Sequence, residues 1–165
     1  IAPDLMTKAD IVQNAVNLWH VVLNGIDELP KVAVLAAVET VNPHMAATLD
    51  AAALSKMADR GQITGAIVDG PLAFDNAISA AAAKEKGITS AVAGHADILL
   101  VPEIEAGNML AKQLTFLSGA DAAGIVLGAR VPIILTSRAD NLRARLLSCA
   151  LAVLLAEARR TGRIK

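Results

Sequence analysis

The sequence predicts an α/β protein, with helices covering both faces of a mixed, mostly parallel β-sheet in three layers. Short runs rich in Val, Ile and Leu alternate with helical patterns of ten residues or more, the signature of βαβ units. These runs lack the polar alternation of a half-exposed strand, as expected of strands buried on both faces. The 165 residues are 55% hydrophobic, with one Trp, two Phe and no Tyr. A chain of that length and content can bury a substantial aliphatic core, and one domain is the default reading.

Taken in order, Lys8 to Asn24 sets Ile11, Val12, Ala15, Leu18, Trp19 and Val22 at helical spacing, with Gly25 as the stop. Lys31 to Val38 follows Pro30 as the first strand. Met45 to Asp59 returns to helical period and Gly61 closes it, after which Ile63 to Asp69 reads as the second strand. Phe74 to Lys86 reads as one Ala-rich helix ending at Gly87, and Ala96 to Val101 as a third strand stopped by Pro102. Ala106 to Leu117 is a further helix, Gly124 to Gly128 and Val131 to Leu135 are further strands, and Ala139 to Arg160 is the closing helix. The link Gly128-Ala129-Arg130 is too short for a parallel crossover. If the strands flanking it are neighbours they run antiparallel, which makes the sheet mixed.

Several functions are excluded by composition. A net charge of −1 provides no basic field for a phosphate backbone, and platforms for stacking bases are nearly absent, so no nucleic-acid partner is expected. The longest apolar stretch, Leu146 to Ala156, is shorter than the roughly 18 residues of a membrane span and reads as a buried core helix. Cys149, the single cysteine, falls inside it as an inert buried thiol, which leaves no intrachain disulfide and no Cys-rich zinc site. His20, His44 and His95 lack metal-ligand spacing, so no metal site is expected. The N-terminus does not resemble a signal peptide, which points to the cytoplasm. Because the chain opens on Ile1 rather than Met, a piece of a longer protein is expected.

In doubly wound folds, ligands collect beyond the carboxyl ends of the strands. Four such junctions combine polar side chains with turn formers: Glu39 to Pro43, Asp69 to Asp75, Pro102 to Asn108, and Thr136 to Asp140. The last is the most informative. At a strand-to-helix junction the first helical N–H groups favour an anion, and Arg138 adds a planar fork suited to phosphate. The competing reading is that Ser137 or Asp140 caps the helix while Arg138 is solvated. Asp69 and Asp75 fit either proton transfer or a turn and a helix start. Glu103 and Glu105 fit either a ligand contact or a helix dipole. Gly107 permits close backbone approach and Asn108 both donates and accepts, so this pair is a binding candidate.

Five ordered blocks carry a resemblance. They are Val41-Asn42-Pro43, Ile67 to Ala73 with its Asp69-Gly70-Pro71 core, Ala96 to Pro102, Glu103 to Asn108 including Gly107, and Leu135 to Asp140. From about Asp4 to the closing helix, the chain resembles the phosphate acetyl/butyryltransferase family. The Asp-Gly-Pro-Leu-Ala and Thr-Ser-Arg-Ala-Asp forms lean toward the butyryl branch.

The resemblance implies reversible transfer of an acetyl or butyryl group between coenzyme A and inorganic phosphate, giving an acyl phosphate. Coenzyme A is then a substrate, with no tightly bound cofactor and no metal. Ser137 would hydrogen-bond the reacting acyl or thiolate group and Arg138 would neutralise phosphate charge, with Asn42, Asp69, Gly107 and Asn108 as substrate-binding candidates. Acetyl-specific relatives carry a proposed basic aspartate where this chain has Ala144, and Asp140 is the nearest substitute. The resemblance further implies a fold like that of isocitrate and isopropylmalate dehydrogenases, with two α/β domains and a homodimeric assembly. Residues 1–165 would correspond to the second domain and the returning C-terminal helix, without the first domain, and the isolated chain would be folded yet inactive. The alternative is a non-catalytic, acyl-CoA-sensing regulatory module of a larger enzyme.

Overall fold

The computed structural model describes residues 3–164. The chain divides into two compact units, 1–16 with 27–107 and 17–26 with 108–165. Helix α1 (Leu5–Val22) contributes to both.

The first unit is built on a parallel sheet of β1 (Lys31–Leu35), β2 (Ile67–Leu72) and β3 (Ile98–Leu100) in the order β2-β1-β3. In β1, Val32 to Leu35 are all buried, which explains its unbroken apolar run. Val32 lies opposite Val68 on one side and Ile98 on the other. Helix α2 (Ala46–Asp59) connects β1 to β2 and turns Thr48, Ala51 and Leu54 inward. Ala51 and Leu54 pack with Val12 and Val16 of α1, with Val32, Val34, Val68 and Leu100 of the strands, and with Ile63 to form the core. Lys8, although charged, is buried because its Nζ meets Asp50 Oδ2 at 2.6 Å.

Two expectations in this unit need correction. The second strand runs over Ile67–Leu72 instead of Ile63 to Asp69, because Gly65 adopts φ +78 and breaks the extended chain there. Ile63 enters the core from the preceding loop instead. Asp69-Gly70-Pro71 therefore lies within a strand, with a cis Gly70–Pro71 bond, and β2's edge position tolerates the proline. A Cβ on Gly70 would lie 2.7 Å from the Val34 carbonyl oxygen, so only glycine fits. The expected Phe74 to Lys86 helix is two helices, α3 (Phe74–Ile78) and α4 (Ala80–Glu85). Ser79 between them is extended and accepts the Ala82 N–H at 3.3 Å, the local competition with helix that serine offers.

Helix α5 (Ile104–Phe116) begins earlier than the apolar period indicates and crosses from the first unit into the second. In the second unit, β4 (Ile125–Val126) and β5 (Ile133–Ile134) pair antiparallel, as the short link requires. Among the described residues they form a separate two-stranded sheet and do not join the parallel one, so the single mixed sheet is corrected to two.

Both strands pack on α6 (Leu142–Arg160), which buries Ser148, Ala152, Leu155 and Ala158. The Ser148 hydroxyl accepts the Gly124 N–H at 3.0 Å, and Arg159 donates to the Ala129 carbonyl at 2.7 Å. The closing helix thus starts at Leu142 instead of Ala139. The Leu146 to Ala156 stretch is not a buried core helix, since Leu146, Leu147, Val153 and Leu154 are exposed. Cys149 is exposed as well, correcting its reading as a buried thiol. Apolarity surrounds this helix, but its own unit covers only one face.

Candidate functional site

The candidate residues divide between the units: Asn42, Asp69 and Gly107 in the first, Asn108, Ser137, Arg138 and Asp140 in the second. Within the first unit, Asn42 sits in the loop after β1. Its N–H donates to Thr48 Oγ1 and its Oδ1 accepts the His44 N–H, both at 2.9 Å. The buried Thr48 side chain thereby ties the loop to α2, and the Asn42 amide group retains its two donors for other contacts.

Asp69 lies opposite Ala33 in β2, not beyond the strand, and its Oδ1 accepts the Gly70 N–H at 2.8 Å. Gly107 has a packing reason of its own, since a Cβ there would come within 2.9 Å of Val101 Cγ2. Glu103 takes the capping role, its two carboxylate oxygens accepting the N–H groups of Glu105 at 2.7 Å and Ala106 at 2.9 Å. Asp75 falls in the first turn of α3.

At the carboxyl ends of β1 and β2, Glu39 and Asp75, both at junctions the sequence singles out, join a polar cluster with Asn76 and Lys86, which it does not. Lys86 Nζ is 3.4 Å from both Glu39 Oε2 and Asp75 Oδ2, and Asn76 Nδ2 donates to Glu39 Oε2 at 3.3 Å. Desolvation alone would lower the Lys86 pKa, but hydrogen bonds and charge from Asp75 and Glu39 outweigh it and hold the ammonium above its ordinary value. Asn76 is fully buried, and its Oδ1 has no protein partner. Its position in the Phe74-Asp75-Asn76 helix start was the available signal.

Within the second unit, Ser137 to Asp140 forms a closed turn. Asp140 Oδ2 accepts the Ser137 N–H at 2.6 Å, and the Asp140 N–H donates back to the Ser137 carbonyl at 3.1 Å. Neither Ser137 nor Asp140 caps α6. That role belongs to Asn141, whose Oδ1 accepts the Ala144 N–H at 2.9 Å. Arg138 is exposed at the crest of this turn and precedes the first helical residue by a full turn of chain, so the helix end and the guanidinium are separate anion-attracting features. Asn108 is exposed on α5. Among the described residues, no group of three or more His, Cys, Asp or Glu side chains is arranged to hold a metal ion.

A hollow of about 170 Å³ adjoins the turn, lined in part by Phe116, Asp121, Asp140, Asn141 and Ala144. Asp121 Oδ2 is paired with the Arg143 guanidinium at 2.9 Å. Charge is distributed unevenly along the chain. The second unit holds nine of the fifteen Lys and Arg residues but three of the sixteen acids, a net charge of +6, which leaves −7 on the first.

The comparisons with known proteins agree with these motifs. The family described as phosphate acetyl/butaryl transferase matches residues 1–153, and the chain belongs to this family. It is 63% identical over 164 residues to a phosphate acetyltransferase of Rhizobium meliloti, covering 99% of this chain and 51% of that protein. It is 56% identical over 157 residues to a probable phosphate butyryltransferase of Bacillus subtilis strain 168, covering 95% of this chain and 52% of that protein. The structure superimposes on a branched-chain phosphotransacylase from Enterococcus faecalis V583 with a TM-score of 0.82 at 36% identity, covering 93% of this chain and 54% of that one. The chain thus spans about half the length of the curated relatives it matches. Relatives of both acyl classes match well, so the two motif forms that lean toward the butyryl branch do not decide it.

Proposed function

We propose that this chain serves an enzyme that reversibly transfers an acetyl or butyryl group between coenzyme A and inorganic phosphate. The observation that carries the reading is the Ser137-Arg138-Ala139-Asp140 turn, pinned by Asp140 in a chain of this family. A phosphate oxygen attacks the thioester carbonyl, the tetrahedral intermediate collapses, and the C–S bond breaks to give acyl phosphate and a thiolate, which then takes a proton. In the reverse direction the thiol must lose that proton.

Each residue has a role fitted to its chemistry. Arg138 offers a permanently charged bidentate partner for phosphate. The Ser137 hydroxyl donates to the developing oxyanion or thiolate. Asp140 commits one oxygen to the turn and keeps acceptor capacity on its carboxylate for the thiol proton, in place of the acid that Ala144 lacks. Asn42, Asp69, Gly107 and Asn108 are proposed to contact substrate. The relatives' names support transfer over an acyl-CoA-sensing module.

In this reading the chain corresponds to the second of two α/β domains of a dehydrogenase-like fold, and acts in the cytoplasm with acyl-CoA and phosphate as partners. Pairing of two copies is supported by the exposed apolar stripe Leu142, Leu146, Cys149 and Val153 on α6. The test is phosphate-dependent release of coenzyme A from acetyl-CoA and butyryl-CoA, measured for the chain and for a longer protein carrying it, beside Ser137→Ala. Turnover that falls in the variant supports transfer. Acyl-CoA binding without turnover in either form favours the sensing role.

A further inference from the structure

An acyl phosphate is a mixed anhydride that acylates free amines, so the lysines of a chain that meets one divide by how available each nitrogen is. Three are held by carboxylates. Lys8 is buried against Asp50 Oδ2 at 2.6 Å, Lys56 pairs with Asp59, and Lys86 lies between Glu39 and Asp75. A paired ammonium must leave its partner and lose a proton before its nitrogen can attack. For Lys86, desolvation lowers the pKa, yet Asp75 and Glu39 outweigh it and keep the ammonium charged above its ordinary value. Lys31 and Lys84 stand in the first unit, whose net charge of −7 repels an anionic reagent.

Lys112 differs on every count. It is exposed on α5, and among the described residues it is the one lysine of the second unit, where a net charge of +6 attracts an anion. Three and four residues away along the helix stand Asn108, Met109, Thr115 and Phe116, with no carboxylate among them. Among the described residues Lys112 makes no ion pair. Its place on α5 also matters. One turn onward, Thr115 and Phe116 line the hollow beside the Ser137 to Asp140 turn. One turn back is the binding candidate Asn108, toward which a helical side chain at 112 leans.

We propose that Lys112 is a site of self-acylation by the acyl phosphate that this unit meets. The neutral amine attacks the acyl carbon, a C–N bond forms as the C–O bond to phosphorus-bound oxygen breaks, and inorganic phosphate leaves with that electron pair. The nitrogen then gives its extra proton to water. The product is an uncharged acyl-lysine on the face shared with Asn108, which removes one positive charge beside the site and slows transfer as acyl phosphate accumulates. The source of the reagent rests on the acyl-transfer reading, whereas the reactivity of Lys112 does not.

The test incubates the chain with acetyl phosphate at mildly alkaline pH and follows each lysine by peptide mass spectrometry. Lys112 is expected to be acetylated about tenfold or more faster than Lys86, through its lack of a pair and the charge of its unit, and ahead of the equally exposed Lys84. Added salt should narrow its lead. Acetylation of Lys112 no faster than that of Lys84 would overturn the assignment. A second measurement uses a longer protein carrying the chain, preincubated with acetyl phosphate before phosphate-dependent release of coenzyme A is assayed. Release should decline with preincubation and decline less in Lys112→Arg, which keeps the charge and removes the amine. An equal decline in both would overturn the link to transfer. Rapid acetylation of Lys112 in a protein that transfers no acyl group would leave the reactive lysine standing and remove the transfer reading. Transfer with Lys112 left unmodified would do the reverse.

Discussion

The two units differ in how their secondary structure is buried. In the first, β1 is covered on both faces, and α1, α2 and three parallel strands share one aliphatic core. In the second, α5 buries none of its residues, α6 buries four of its nineteen, and two strands of two residues each complete the unit. The first unit is acidic and the second basic. Stability is therefore expected to concentrate in the parallel sheet, while the polar turn that carries the motif lies in the more open unit. Low local burial is the usual condition of segments that meet ligands.

The largest test of this contrast is a pair of truncations. Leu54 is fully buried, and Leu54→Ala is expected to cost about 2–5 kcal/mol in urea unfolding, through lost transfer energy and a residual cavity. Leu117 in the second unit is 81% exposed, and Leu117→Ala should stay within about 0.5 kcal/mol. Equal losses at the two sites would erase the distinction between the units. Gly94→Ala comes next. Gly94 has φ +80, and an added Cβ would lie 2.4 Å from Ala80 Cα, so strain of about 1–3 kcal/mol or more is expected.

Legibility in the sequence follows the same division. Strands buried on both faces announce themselves as apolar runs, so the start of β1 and its crossover helix were recognisable to within a residue, whereas the strand ends at Leu35, three residues short of the expected Val38. The break at Ser79 was hidden, because an Ala-rich run keeps helical period while one serine quietly caps a second helix. Cys149 was misplaced because composition says how apolar α6 is but not which face finds a cover. At the site, Ser137 and Arg138 could be named from their motif, yet Asp140 and Asn141 stand side by side and spacing cannot choose the cap. Phe116, Asp121 and Asn141 meet only through tertiary folding, and the exposed aromatic in an aromatic-poor chain was their faint signal.

Smaller effects sharpen the comparison. Ser148→Ala removes the acceptor for the Gly124 N–H and should cost about 1–3 kcal/mol, loosening β4 from α6 as seen by amide exchange at Gly124. The smallest effect concerns Lys86, whose raised pKa means that its contribution is complete below its unfolded value and lost as pH rises through the folded one. Stability measured across the alkaline range above the ordinary lysine pKa should therefore decline less steeply in Lys86→Met. An unchanged slope would show that the links to Glu39 and Asp75 carry no free energy.

The most direct measurement is the phosphate dependence of coenzyme A release from acetyl-CoA in a protein carrying this chain, with Arg138 intact and as Arg138→Ala. The account predicts that kcat/KM for phosphate falls by about a hundredfold or more when the guanidinium is removed, while the variant keeps its fold. An unchanged kcat/KM for phosphate would show that the turn pinned by Asp140 does not hold the phosphate, and would contradict the assignment of the site.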